Sequence, residues 1–138
     1  HYDDPNRQAT LQNQRLGLVA LGLLTEVKPG DGGTHLATDS IGPTARLLQK
    51  RPGGLNLDDP FVRRKLKRKS KRVVEVTGQV GDVTLVHPFV LHARAEAAQP
   101  TMRILANPNI FFNQPMRLES SQSEGDSLVE EAIIRALQ

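Results

Sequence analysis

Apolar residues along this 138-residue chain fall into short runs punctuated by Gly, Pro and Asp, and one clear helical stripe stands at the end. Residues 15–27, RLGLVALGLLTEV, are too short a run for a helix and contain two glycines. They predict a buried strand, with a Pro-Gly-Asp-Gly-Gly turn at 29–33 behind it. Residues 34–37 read as a short return strand, which makes 15–37 a hairpin. Pro43 opens a short helix over 43–50. A Pro/Gly/Asp-rich loop covers 51–60, and Asp58 or Asp59 caps a helix that begins near Pro60 and continues into a basic stretch.

The second half has the two-residue period of strands. Val73 to Thr77 alternates, Gly78 to Asp82 is a turn, and Val83 to Val86 is a strand. Phe89 to His92 continues that strand past Pro88, where a proline implies an edge position or a bulge. Ala93 to Pro100 connects to a strand at 101–106, with another at 109–113. Ser127 and Glu130 have the spacing of a capping box, and Leu128, Ala132, Ile133 and Leu137 share one face of the helix that follows. This mainly β order, with helices inserted and appended, fits a β-sandwich or jelly-roll barrel best. The length predicts one domain over 1–138, with a core at 1–113 and a C-terminal helix at 126–138.

Composition narrows the chemistry. With no cysteine, disulfides and thiolate metal sites are excluded, which leaves His, Asp and Glu as metal ligands and favours harder metals such as iron. The longest apolar run, Leu16 to Leu24, is far too short to span a membrane and lacks signal-peptide flanks, so no membrane partner and an intracellular location are expected. Net charge is +3, but eight of the 18 basic residues lie in RRKLKRKSKR at 63–72; the remainder of the chain is acidic, at −5. A general nucleic-acid binder shows a broader basic face, so this segment reads first as a solvated helix side.

Two side chains in His1-Tyr2-Asp3 point the same way if extended, offering two metal ligands with no special turn. A third ligand comes from another strand: His87 or His92, with His35 a weaker candidate. Two histidines and one carboxylate on one face of an octahedral metal leave three open positions, as in the non-haem Fe(II) facial triad. A 2-oxo acid fills two and dioxygen one. Arg103 can then grip a distal carboxylate through two parallel hydrogen bonds. None of these residues is specific by itself, since each is common in ordinary surface or core roles.

Residues 81–92, GDVTLVHPFVLH, resemble the Gly-Asp, apolar strand, His-Pro-x-x-x-His stretch of the phytanoyl-CoA dioxygenase family of Fe(II)/2-oxoglutarate oxygenases. The resemblance covers roughly 1–113. It implies a double-stranded β-helix, or jelly-roll (cupin-like), core that is N-terminally incomplete, with the chain a fragment starting at its His-x-Asp motif. It makes His92, not His87, the distal iron ligand, with His1 and Asp3 upstream. It also puts the 2-oxoglutarate arginine at Arg103, eleven positions after His92. The cofactors implied are Fe(II) and the cosubstrate 2-oxoglutarate. The reaction implied couples oxidative decarboxylation to succinate and CO2 with hydroxylation of a small-molecule C–H bond by dioxygen. Thr84, Thr101 and Asn107 are ordinary strand polar residues before they are cosubstrate contacts. Two stretches depart from the family: Ala37-Thr38-Asp39-Ser40, where members often carry Pro-Gly-Ser-His, and ARAEAAQPT after His92, where Asn and Ser are usual. Both shape the substrate pocket, so the substrate stays open. The competing classes are a catalytically inactive jelly-roll relative or fragment, and a nucleic-acid or partner-binding module built on 63–72.

Overall fold

The computed structural model describes residues 8–12, 15–118 and 127–138; within them seven strands form two antiparallel sheets, and three short helices accompany these. In the first sheet β1 (Leu16–Leu23) is central. It pairs with β4 (Val83–Val86) on one side and with β6 (Leu105–Ala106) and β7 (Asn109–Phe111) on the other. In the second sheet β2 (Thr34–Ala37) lies between β3 (Val73–Val76) and β5 (Leu91–Arg94). The sheets share one apolar core of Leu16, Val19, Leu21, Leu36, Val76, Val86 and Val90. Each such side chain stabilises the fold by roughly 1.5–3 kcal/mol relative to exposure.

The strands form close to where hydrophobic patterning puts them, but two pairings expected from sequence are wrong. β1 and β2 are not a hairpin: they belong to different sheets, and the glycine-rich turn carries the chain from one sheet to the other. Gly30 and Gly32 take positive φ, 85° and 79°, and a Cβ on Gly33 would run into the Val76 carbonyl oxygen. These glycines serve a crossover packed against β3, not a two-strand reversal. Nor does β4 continue past Pro88. Val90 N–H closes a turn on the His87 carbonyl at 2.9 Å, and the chain enters the second sheet as β5. Pro88 sits in that crossing, where its missing N–H costs no ladder bond. The strand expected at 101–106 is shortened to Leu105–Ala106, although Leu24 N–H still reaches the Ile104 carbonyl at 3.0 Å.

α1 (Ile41–Gln49) starts two residues before the expected 43–50, so Pro43 falls in its first turn, where a helix has no bond to lose. α2 (Pro60–Lys69) begins on Asp59, whose carboxylate accepts from Phe61 N–H (2.9 Å) and Val62 N–H (3.2 Å). Val62 and Leu66, one turn apart, are its buried residues, while all six of its basic side chains are exposed. α3 (Leu128–Leu137) has the expected Ser127–Glu130 capping box. Its buried face is Val129, Ile133 and Ile134, whereas Leu128 is 83% exposed; the apolar stripe is rotated from the expected one. Val129 and Ile133 join α1, α2 and Phe89 in a second apolar cluster. Among the described residues no helix is long and apolar enough to cross a membrane.

Glu130 pins α3 to the segment after β7. It is 6% exposed, and it accepts from Arg117 N–H (2.7 Å), Ser127 N–H (3.0 Å) and Ser127 Oγ–H (2.8 Å). Burial alone would raise its pKa; the hydrogen bonds from Ser127 and Arg117 outweigh this and hold it below its ordinary value of 4.5. A folded-state pKa below the unfolded one contributes stability that is complete above pH 4.5 and fades as pH falls through the folded value. The expected outcome for Glu130→Gln is lower stability at neutral pH and a shallower loss between neutral and acid conditions, read from urea midpoints across pH. An unchanged slope would show that Glu130 is not a proton-linked anchor.

Candidate metal centre

β5 is held in place by two hydroxyls from the start of α1. Ser40, wholly buried, accepts from Leu91 N–H at 2.8 Å and directs its proton to the Ala37 carbonyl (2.7 Å) or the Phe89 carbonyl (3.2 Å). Thr44, also wholly buried, donates to the same Phe89 carbonyl at 3.3 Å. Asp39 beside them accepts from Lys71 N–H at 2.8 Å and from Arg72 N–H, which ties the end of β2 to the approach of β3. The stretch Thr38-Asp39-Ser40 that departs from the family pattern thus has local structural work, which a strand-and-turn reading did not anticipate. Hydroxyls next to a helix start were the available signal.

The position of His92 follows from this anchoring. It is the register partner of Leu36, and Leu36 in turn opposes Val74, so all three lie on the face of the second sheet that meets the core. His92 is 6% exposed. Its Nδ1 lies 3.1 Å from the Val90 carbonyl, an atom that can only accept, so Nδ1 carries the proton. A histidine oriented through Nδ1–H to a backbone carbonyl is the usual preparation of an Nε2 metal ligand.

His87 is differently employed. Its Nε2 donates to the Val129 carbonyl (3.1 Å) and its Nδ1 accepts from Phe89 N–H (3.0 Å), so both ring nitrogens are spent joining the sheet crossing to α3. Burial pushes its pKa down, against the opposing pull of the Val129 carbonyl, which keeps it neutral. His35 opposes Ala93 and Glu75, so by alternation it belongs to the other face of the second sheet, though both histidines border the groove beside α2.

Arg103 is half-buried and lies two residues before β6, so it approaches from the first sheet while His92 stands on the second. His1 and Asp3 lie outside the described residues. Among the described residues no three His, Cys, Asp or Glu side chains converge as a metal would require. Thr84 opposes core-facing Leu21 in β1 and is half-buried; Thr101 is exposed and donates to the Gln99 carbonyl at 3.2 Å; Asn107 is exposed. Sequence reasoning passed over Arg94. Two residues after His92 on the same strand and opposite Thr34, it shares the His92 face, as the period of two could have indicated. Compared with models of known protein families and with curated proteins, the chain matches none.

Proposed function

We propose that this chain forms the core of an Fe(II)- and 2-oxoglutarate-dependent oxygenase of jelly-roll architecture. In this reading His1, Asp3 and His92 hold the metal and Arg103 holds the distal carboxylate of 2-oxoglutarate. The observation that carries the proposal is His92: a buried imidazole on the core face of a sheet, oriented through Nδ1 by the Val90 carbonyl as metal-binding histidines commonly are. The order in which the chain visits the sheets supports it too. β1 lies in the first sheet, β2 and β3 in the second, β4 in the first, β5 in the second, and β6 and β7 in the first. Crossing of this kind between two facing antiparallel sheets is how jelly-roll connections run. His92 lies on the second sheet, and Arg103 lies two residues before β6 of the first.

Bound iron supplies the activation of dioxygen and of the 2-oxo acid; the substrate is a small molecule with a C–H bond to be hydroxylated. The chain's own part is to orient. The Ser40 and Thr44 hydroxyls fix the start of β5, the Val90 carbonyl fixes the imidazole, and the Arg103 guanidinium binds a carboxylate by paired, charge-assisted hydrogen bonds. The test is anaerobic titration of the Fe(II)-loaded protein with 2-oxoglutarate, followed by the charge-transfer absorption of the iron–2-oxo acid chelate. Saturable growth of that band is expected. Arg103→Gln should weaken 2-oxoglutarate binding by at least about thirtyfold, as for loss of one partner in a bidentate charged pair, and should leave Fe(II) affinity alone. If Arg94→Gln produces that loss and Arg103→Gln does not, the carboxylate is held from β5. If the protein gives no band at all, the oxygenase reading fails.

A further inference from the structure

A groove lies between the second sheet and α2. Strand alternation puts Ala37, Val73, Leu91 and Ala93 on one face of that sheet, opposite to Leu36 and His92. These residues, with His35 and His92, line about 330 Å³ on the sheet side, and Arg63, Arg64 and Lys67 of α2 form the other wall. That volume is at the lower end of small-molecule sites. None of these three cations pairs with a carboxylate among the described residues, and no acidic residue lines the groove.

A second observation is independent of the charges. Ser70, at the C-terminal end of α2, also lines the groove and is 6% exposed. Its backbone N–H is satisfied by the Leu66 carbonyl at 3.1 Å, yet its Oγ has no hydrogen-bond partner among the described residues. A buried hydroxyl left in that state costs free energy, so one at the wall of a cationic groove is a donor waiting for an acceptor.

We propose that this groove is a binding site for an organic anion with an apolar body. A phosphate or carboxylate head sits against Arg63, Arg64, Lys67 and the Ser70 hydroxyl, and an alkyl or aryl portion lies on Ala37, Val73, Leu91 and Ala93. The floor argues against a bare inorganic ion, which would gain nothing from four apolar side chains. A polyanion such as nucleic acid is disfavoured by the charge distribution, because the chain outside 63–72 is net negative and would repel a long strand. His92 also borders the groove, but the contacts that define this site are those of α2, Ser70 and the apolar floor, and they are tested in the absence of iron.

Titration calorimetry with octyl phosphate, kept below its micelle concentration at low salt, tests the proposal. One saturable site is expected, weakening as salt rises. Inorganic phosphate and octanol should each bind at least about tenfold more weakly, because each offers only half of the contacts. The double variant Arg64→Gln/Lys67→Gln should lose at least about tenfold in affinity. Ala93→Phe, at an exposed position, should block the groove and leave the melting temperature unchanged. Ser70→Ala should weaken binding several-fold with a melting temperature unchanged or raised, which a serine with a purely structural role would not show. The proposal is overturned if octyl phosphate binds Ala93→Phe as well as wild type, or if inorganic phosphate binds equally well. It is also overturned if single-stranded RNA or anionic vesicles bind through the α2 cations while octyl phosphate does not.

Discussion

Replacing His92 with alanine is expected to lower Fe(II)-dependent succinate release from 2-oxoglutarate by at least about a hundredfold. Even residues that only orient a metal-binding histidine are worth about 10–100-fold in affinity or activity, so loss of a ligand itself should exceed that. The loss should appear first as weaker Fe(II) binding, measured by anaerobic equilibrium dialysis, and only through it as slower turnover. His87→Ala is the matched control. His87 is a half-buried histidine in the same stretch, but both of its nitrogens already hold backbone groups, Val129 on α3 and Phe89 in the crossing. Its removal should reduce stability and leave Fe(II) affinity nearly intact. Equal succinate release by wild type and His92→Ala would defeat the oxygenase assignment; loss of Fe(II) binding in both variants alike would mean that the crossing as a whole, not one imidazole, governs the site.

Phe89→Ala should cost about 3–5 kcal/mol of folding stability, the range for removing a large aromatic side chain from a close-packed interior. Phe89 is 1% exposed and is the largest of the fully buried side chains. It belongs to the cluster that joins α1, α2 and α3, and its ring meets that of His87 edge-on at 5.5 Å. Against a total of about 5–15 kcal/mol for an ordinary domain, such a loss is a large fraction. The guanidinium chloride midpoint should fall accordingly, and Phe89→Leu should recover much of the loss. A functional consequence follows through the backbone. The Phe89 carbonyl is the acceptor of Ser40 and Thr44, so loosening residue 89 loosens the start of β5 and, three residues on, His92. Fe(II) affinity should therefore drop in Phe89→Ala even under conditions where the protein remains folded. A destabilised Phe89→Ala that binds Fe(II) as wild type does would show that β5 is fixed by its strand pairing alone.

Much of the local structure was legible because its causes are local. The Asp59 cap with Pro60 at the first helical position, the Ser127–Glu130 box, and the alternation over Val73–Val76 depend on neighbours within a few residues. Where an element's exposure depends on what lies across from it, sequence reasoning went astray. Leu128 fits the apolar period of α3 and is exposed, while Glu130 is buried because the Arg117 N–H and the cap give its carboxylate partners. In β4 the run Val-Thr-Leu-Val has apolar residues on both faces, so its pattern could not say that Val86 is buried while Val83 and Leu85 are exposed.

For the candidate site the division is similar. By itself the sequence determined the chemistry on offer: no thiolate, a His-x-Asp pair, two histidines around Pro88, one arginine eleven residues beyond His92, and a single basic stretch on a capped helix. Side-chain type and spacing suffice for that, because they are properties of the covalent chain. Only the tertiary structure decided that the Gly30–Gly33 turn crosses between sheets, that His87 is consumed by backbone partners from α3, and that His92 faces the core while His35 faces away. It also decided that Ser40 and Thr44 brace β5, and that the cations of α2 overhang an apolar sheet face. The physical reason is that strand pairing and burial are contacts between residues far apart in sequence. A strand's period fixes which residues share a face, but not which of its faces meets the core.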